Sequence, residues 1–241
     1  MNPLIAREAR TRALLALEDG TTMAGLSCGA SGEAFGEVVF NTSMAGYQEM
    51  LTDPSYAGQI LTLTYPQVGN YGVNADDLQS LGRAAAGLVV RDMCHTPSHW
   101  QAMASLPEYL RMRGVVAIEG VDTRALTLAI RSHGAMRAAT STTDLDPESL
   151  VRRVRAYPSI SSRNLVGEVS PRGVRNVAAD PDAAAERAAR GLPTPRVVVY
   201  DCGMKRGIEL ALIAQGIDLT IVPFDTDAET VLATGDRKSV V

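Results

Sequence analysis

The residues best equipped for chemistry lie in a few short clusters. Asp53-Pro54-Ser55-Tyr56 sets a carboxylate and a hydroxyl two residues apart around a proline. Asp at the first position and Pro at the second favour a type I turn, in which both polar side chains can simply serve the backbone. The same hydroxyl can also accept or donate a hydrogen bond to a ligand. Asp201-Cys202-Gly203 resembles a turn that cradles phosphate at a helix N-terminus. The G-x-G-x-x-G spacing is not met, however, so Lys205 and Arg206 read as a solvated helix start or a subunit contact.

Cys28, Cys94 and Cys202 are odd in number and widely spaced, with no C-x-x-C pair and no zinc spacing to His95, His99 or His133. A thiol nucleophile needs a sharp strand-to-helix elbow and a His base. No helix pattern follows Ser27-Cys28-Gly29. Cys94 and His95 are neighbours, and on a strand they would point to opposite faces. All three cysteines therefore read as small hydrophobes, and the chain is assigned no catalytic residue and no metal site.

The elements that position these residues begin β-rich. Ala13 to Leu17 runs into Glu18-Asp19-Gly20-Thr21, a hairpin signal. Residues 36–42 and 59–65 read as strands joined by a polar, turn-rich loop. The second alternates Ile60, Thr62, Thr64 against Leu61, Leu63, Tyr65, as a half-buried strand would. Residues 87–91 and 114–118 are short apolar runs, read as buried strands. Asp122 caps a helix over Thr123 to His133 that stops at Gly134, and Asp146-Pro147-Glu148 starts another, lined by Leu150, Val151 and Val154. Residues 170–195, rich in Pro, Gly, Ala and Arg, read as a linker. Beyond it, a strand at 196–200, a helix at 205–215, a strand at 217–222 and a short helix from Asp227 give the β-α-β-α order of a parallel, helix-covered sheet. Two strands are too few for a stable doubly wound domain.

The whole sequence has 241 residues, 46% of them hydrophobic, and a formal charge of -4. That balance argues against a nucleic-acid partner. No apolar run approaches the roughly 20 residues that span a bilayer, so no membrane association is expected. Arg7, Arg10 and Arg12 precede an apolar stretch too short for a signal peptide, so residues 1–12 read as an extension. Sparse, unpaired cysteines suit a reducing, cytoplasmic setting.

The run Glu37 to Tyr56, which includes Gly46-Tyr47-Gln48-Glu49-Met50-Leu51-Thr52-Asp53-Pro54-Ser55-Tyr56, resembles the small subunit of carbamoyl-phosphate synthetases. So do Thr64-Tyr65-Pro66, Gly69-Asn70, the Asp122-Thr123-Arg124 helix start and Val199-Tyr200-Asp201-Cys202-Gly203-Met204-Lys205-Arg206. The resemblance covers nearly all of 13–169 and 196–235.

It implies an α/β protein: a swivelling β/β/α N-terminal domain at 13–169, a linker at 170–195, and at 196–241 the start of a doubly wound class I glutamine amidotransferase domain. The implied function is glutamine hydrolysis by a Cys-His-Glu triad. Ammonia would then pass to a large partner subunit that makes carbamoyl phosphate, for pyrimidines and arginine, from bicarbonate and ATP. ATP and magnesium belong to that large subunit, and no cofactor is implied in this chain. The resemblance assigns Ser55 as a contact to the substrate L-glutamine and gives Cys202 a turn position, not the nucleophile's. It breaks off at Gly235. Asp236 to Val241 is expected to be encoded by adapter DNA rather than by the gene, and the chain as written is expected to be a truncated, inactive fragment. A noncatalytic docking module for the large subunit is the alternative. A Rossmann nucleotide-binding domain is weaker, for want of the glycine fingerprint.

Overall fold

The computed structural model describes residues 11–82 and 85–234. The extension expected at 1–12 lies outside them through residue 10, although Arg12 already belongs to the first strand, and the stretch expected at Asp236 to Val241 lies outside them altogether. The chain forms two compact units, Met1–Arg163 and Asn164–Val241, each mixed α/β.

The first unit contains β1 (Arg12–Leu17), β2 (Thr22–Ser27), β3 (Glu33–Asn41), α1 (Tyr47–Thr52), β4 (Gln59–Leu63), β5 (Gln67–Val68), β6 (Gly87–Val89), β7 (Asp92–Met93), α2 (Leu106–Met112), β8 (Val116–Glu119), α3 (Thr123–His133), β9 (Met136–Ser141) and α4 (Pro147–Ala156). Seven strands close into a barrel in the order β1-β2-β8-β6-β4-β3-β9. The neighbours β3/β4, β4/β6 and β6/β8 run parallel, and the remaining pairs run antiparallel.

The period-2 alternation of a strand divides the core. On β1, Leu15 and Leu17 join Val38, Ile60, Val89, Ile118 and Ala138 in a cluster fed by most of the strands, which is the barrel interior; Leu126 and Ile130 of α3 complete it. Leu14 and Ala16 point outward, beneath Leu150 and Val154 of α4. Arg153 of α4 also bonds Glu33 and Asp144. A third cluster lies outside β4, β6 and β8 and packs Leu61, Leu63 and Leu88 against Tyr47, Leu51, Leu106 and Leu110 of α1 and α2.

This arrangement corrects the half-buried reading of residues 59–65. Ile60, Leu61, Thr62 and Leu63 are all buried, because one face of β4 looks into the barrel and the other lies under helices. The strand ends at Leu63. The hairpin at Asp19-Gly20 forms as expected, with the Asp19 carboxylate accepting from the Thr21 amide at 2.8 Å and Gly20 at φ 103°. Asp122 and Asp146 accept from the backbone N–H groups of Ala125 and Glu148 as helix caps.

The second unit contains α5 (Val166–Val169), β10 (Arg175–Val177), α6 (Pro181–Ala189), β11 (Arg196–Asp201), α7 (Arg206–Ile213), β12 (Asp218–Pro223) and α8 (Ala228–Ala233). β11 and β12 pair in parallel, and β10 adds an antiparallel strand on the far side of β12. The stretch 170–195, a linker by composition, therefore differs in the structure. Val177 packs with Leu219 and Ile221, and Asp180 caps α6 through the Ala183 amide. The segment shows little apolar periodicity, and α6 buries none of its residues; its contacts are the β10–β12 pairing, the buried Ala179, Val177 and a few polar bonds.

Candidate functional site

Asp53 is shared by two elements. Its N–H donates to Met50 O, closing α1, and its carboxylate accepts from the Ser55 amide at 2.9 Å, opening a single 3-10 turn over Pro54–Tyr56. The Tyr56 amide donates back to Asp53 O at 3.0 Å, the i to i+3 bond that Asp-Pro favours. The Tyr56 hydroxyl accepts from the Asn41 side-chain amide at 2.9 Å. Asp53 and Pro54 are buried and Ser55 is exposed. The Ser55 hydroxyl thus projects from a turn fixed on both sides, with no partner of its own among the described residues.

The loop after β5 is bound to α1. The Gln48 side chain donates to Asn74 O at 2.6 Å and accepts from Asn74 N–H at 2.9 Å, pairing with that backbone as a strand neighbour would. Thr52 Oγ1 accepts from the Gln79 amide, and the Ser80 hydroxyl donates to Thr52 O. Tyr47 and Tyr71 stack with ring centroids 4.2 Å apart. Burial pushes both phenols above the ordinary tyrosine range, so they act here as neutral hydrogen-bonding groups. Glu49, on the same helix, has its carboxyl pushed above the usual range by burial and by the nearby Asp77. Its Oε2 is buried without a partner among the described residues. Apart from Asp53 and Ser55, none of these residues is marked by its chemistry in the sequence. Gln48 and Tyr71 carry no local signal, since their bonds reach across 26 and 25 residues.

The cysteines occupy unrelated places. Cys28 is buried among the residues under α1 and α2. Cys94 Sγ donates to Thr96 O at 3.3 Å, while His95 Nε2 lies 3.3 Å from the buried Glu119 carboxylate, so thiol and imidazole have different partners. Cys202 is exposed after β11, in a turn where Asp201 Oδ1 accepts from the amides of Gly203 and Met204. Among the described residues no group of three His, Cys, Asp or Glu could hold a metal ion, and no helix is long and apolar enough to cross a membrane.

The family profile described as carbamoyl-phosphate synthase small chain, CPSase domain, matches residues 15–140. Curated relatives called carbamoyl phosphate synthase small chain include one from Thermotoga maritima, 51% identical over 91% of this chain and 53% of its own length. Others come from Syntrophotalea carbinolica, 47% identical over 92% and 60%, and from Archaeoglobus fulgidus, 45% identical over 91% and 58%. The chain thus spans little more than half the length of the relatives it matches. Among solved structures, an aminopeptidase from Aneurinibacillus sp. strain AM-1 aligns over 89% of this chain and 49% of its own at 12% identity and a TM-score of 0.31, a likeness that carries no argument.

Proposed function

The chain belongs to the carbamoyl phosphate synthase small chain family, and from that premise we propose that it is part of the small subunit of a glutamine-hydrolysing carbamoyl-phosphate synthase. In this reading the first unit corresponds to the swivelling N-terminal domain, which docks on a large subunit, and the β11-α7-β12-α8 segment begins a class I glutamine amidotransferase domain. L-Glutamine is the substrate of the small subunit. The large subunit uses the ammonia with bicarbonate, ATP and magnesium, in the cytoplasm, for pyrimidine and arginine synthesis.

One observation carries the site assignment. A serine hydroxyl without a partner among the described residues projects from the Asp53-Pro54-Ser55-Tyr56 turn, and the turn is held by the Asp53 carboxylate and the Asn41 amide. A group whose position is already fixed binds a ligand at less entropic cost than a mobile one. The hydroxyl offers one donor and two acceptor sites, which suits the carboxylate or ammonium of an amino acid.

The reading gives this chain alone no glutaminase turnover; what supports it is that Cys28 is buried, Cys94 and His95 have different partners, and Cys202 lies in an exposed turn. That placement also favours a second reading, a docking module that binds the large subunit and performs no chemistry. Two measurements test the readings, and only the second separates them. Co-purification with a large synthetase subunit is expected under both, and its failure would remove both. A small subunit of the relatives' full length, assembled with the large one, should hydrolyse glutamine and show a raised KM for it when Ser55→Ala is introduced. Thiol-dependent turnover by the 241-residue chain itself would contradict the assignment of its cysteines.

A further inference from the structure

Helix α1 lacks the side chain that ordinarily starts a helix. Its N-cap is Gly46, at φ 87°, with no side-chain oxygen to take the first free N–H groups. Tyr71 supplies the acceptor from a separate loop. Its hydroxyl oxygen accepts from the Gly46 amide at 2.6 Å and from the Tyr47 amide at 3.4 Å. Tyr47 answers by donating its own hydroxyl to Gly72 O at 2.6 Å, and the two rings stack.

A helix of six residues is far below the length that holds itself in water, so contacts made by its ends and its buried face set its position. At the other end there is no slack. Only Asp53 and Pro54 separate α1 from Ser55; Asp53 serves both elements at once, and Pro54 has a fixed φ. A shift of α1 along its axis is therefore passed directly to the Ser55 hydroxyl. We infer that Tyr71 is a positioning residue for Ser55, acting through α1 as a helix cap supplied from the Gly69–Gly72 loop. This rests on the reading of Ser55 as a glutamine contact. Gln48 still ties α1 to Asn74 when Tyr71 is altered, so the expected effect is a displacement of the helix, not its loss.

The test uses Tyr71→Phe, which removes the accepting oxygen and keeps the ring stack. In the full-length small subunit assembled with its large partner, glutamine kinetics are measured for Ser55→Ala, Tyr71→Phe and the double variant. Tyr71→Phe is expected to raise KM about threefold to tenfold, the range one neutral hydrogen bond is worth, with kcat within about twofold. The double variant should be no worse than Ser55→Ala alone, because both changes act on one contact. If Ser55→Ala raises KM and Tyr71→Phe does not, or if the two effects multiply, the positioning role is overturned while the glutamine reading stands. If Ser55→Ala leaves KM unchanged, the glutamine contact itself is wrong and the inference falls with it. Amide exchange on the 241-residue chain gives a readout independent of assembly. Tyr71→Phe should speed exchange at Ser55 as well as at Gly46, and an unchanged Ser55 amide would refute the coupling.

Discussion

Glu49 holds a carboxyl raised above its ordinary value, first by burial and then by Asp77, and its Oε2 finds no partner among the described residues. Burial thus disfavours its ionised form more in the folded state than in the unfolded chain. Its contribution to stability is fully present below the unfolded value near 4.5 and is lost as pH rises through the raised folded value. Glu49→Gln should therefore raise Tm at pH 7 by about 1–3 °C, a small gain because the group is only half-buried and solvent screens it. Near pH 4 the gain should vanish. Thermal melts at the two pH values check this, and an equal gain at both would show that ionisation is not the cause. Thr62 and Thr140 present a related cost inside the barrel, where both hydroxyls are buried without a partner among the described residues. Thr62→Val keeps the shape and removes the unpaired group, so it should stabilise by about 1 kcal/mol in denaturant unfolding. A loss of stability would mean that an ordered water already satisfies the hydroxyl.

Helix α2 shows how much a short element owes to its cap. The Ser105 hydroxyl accepts from the Glu108 amide, and the Glu108 carboxylate accepts from the Ser105 amide at 2.9 Å, forming a capping box at the start of a seven-residue helix. Ser105→Ala should cost about 1 kcal/mol, measured by chemical denaturation of the whole chain; a change below about 0.3 kcal/mol would show that the packing of Leu106 and Leu110 alone fixes the helix. The box is written in Ser105-Leu106-Pro107-Glu108, so α2 was legible in principle, as α3 and α4 were from Asp122 and Asp146. Helix α1 was not. Its start is a glycine, its cap arrives from Tyr71 and its face is held by Asn74, so nothing local distinguishes it from a polar loop. The DPSY turn was fully legible, because Asp and Pro determine it within four residues. Barrel closure was the least legible feature. It depends on β9 reaching β1 and β3 across about a hundred residues or more, and Met136–Ser141, with Ala138, Ala139 and Thr140, is too weakly patterned to read as a strand.

At the scale of the whole chain, the two units differ in how much they bury. The barrel has no open edge, since each of its seven strands pairs on both sides, and its strands are covered inside and out by three apolar clusters. The second unit divides β11 and β12 between two small clusters, one of Val198, Val222 and Val231 and one of Val199, Leu219 and Ile221. Helices α6 and α7 bury no residue, and Ile208 and Leu210 of α7 remain about half exposed. Few buried contacts mean a low free energy of local opening. In hydrogen exchange, the amides of β4, β6 and β8 are therefore expected to be the slowest in the chain. Those of β11 and β12 should exchange at least about tenfold faster, equivalent to roughly 1.4 kcal/mol less opening free energy. Limited proteolysis should cut within 164–234 before it cuts the barrel, because cleavage follows the population of the open form. Equal protection of the two sheets would mean that the small clusters of the second unit hold it as firmly as a closed barrel does, and that buried area does not set local stability in this chain.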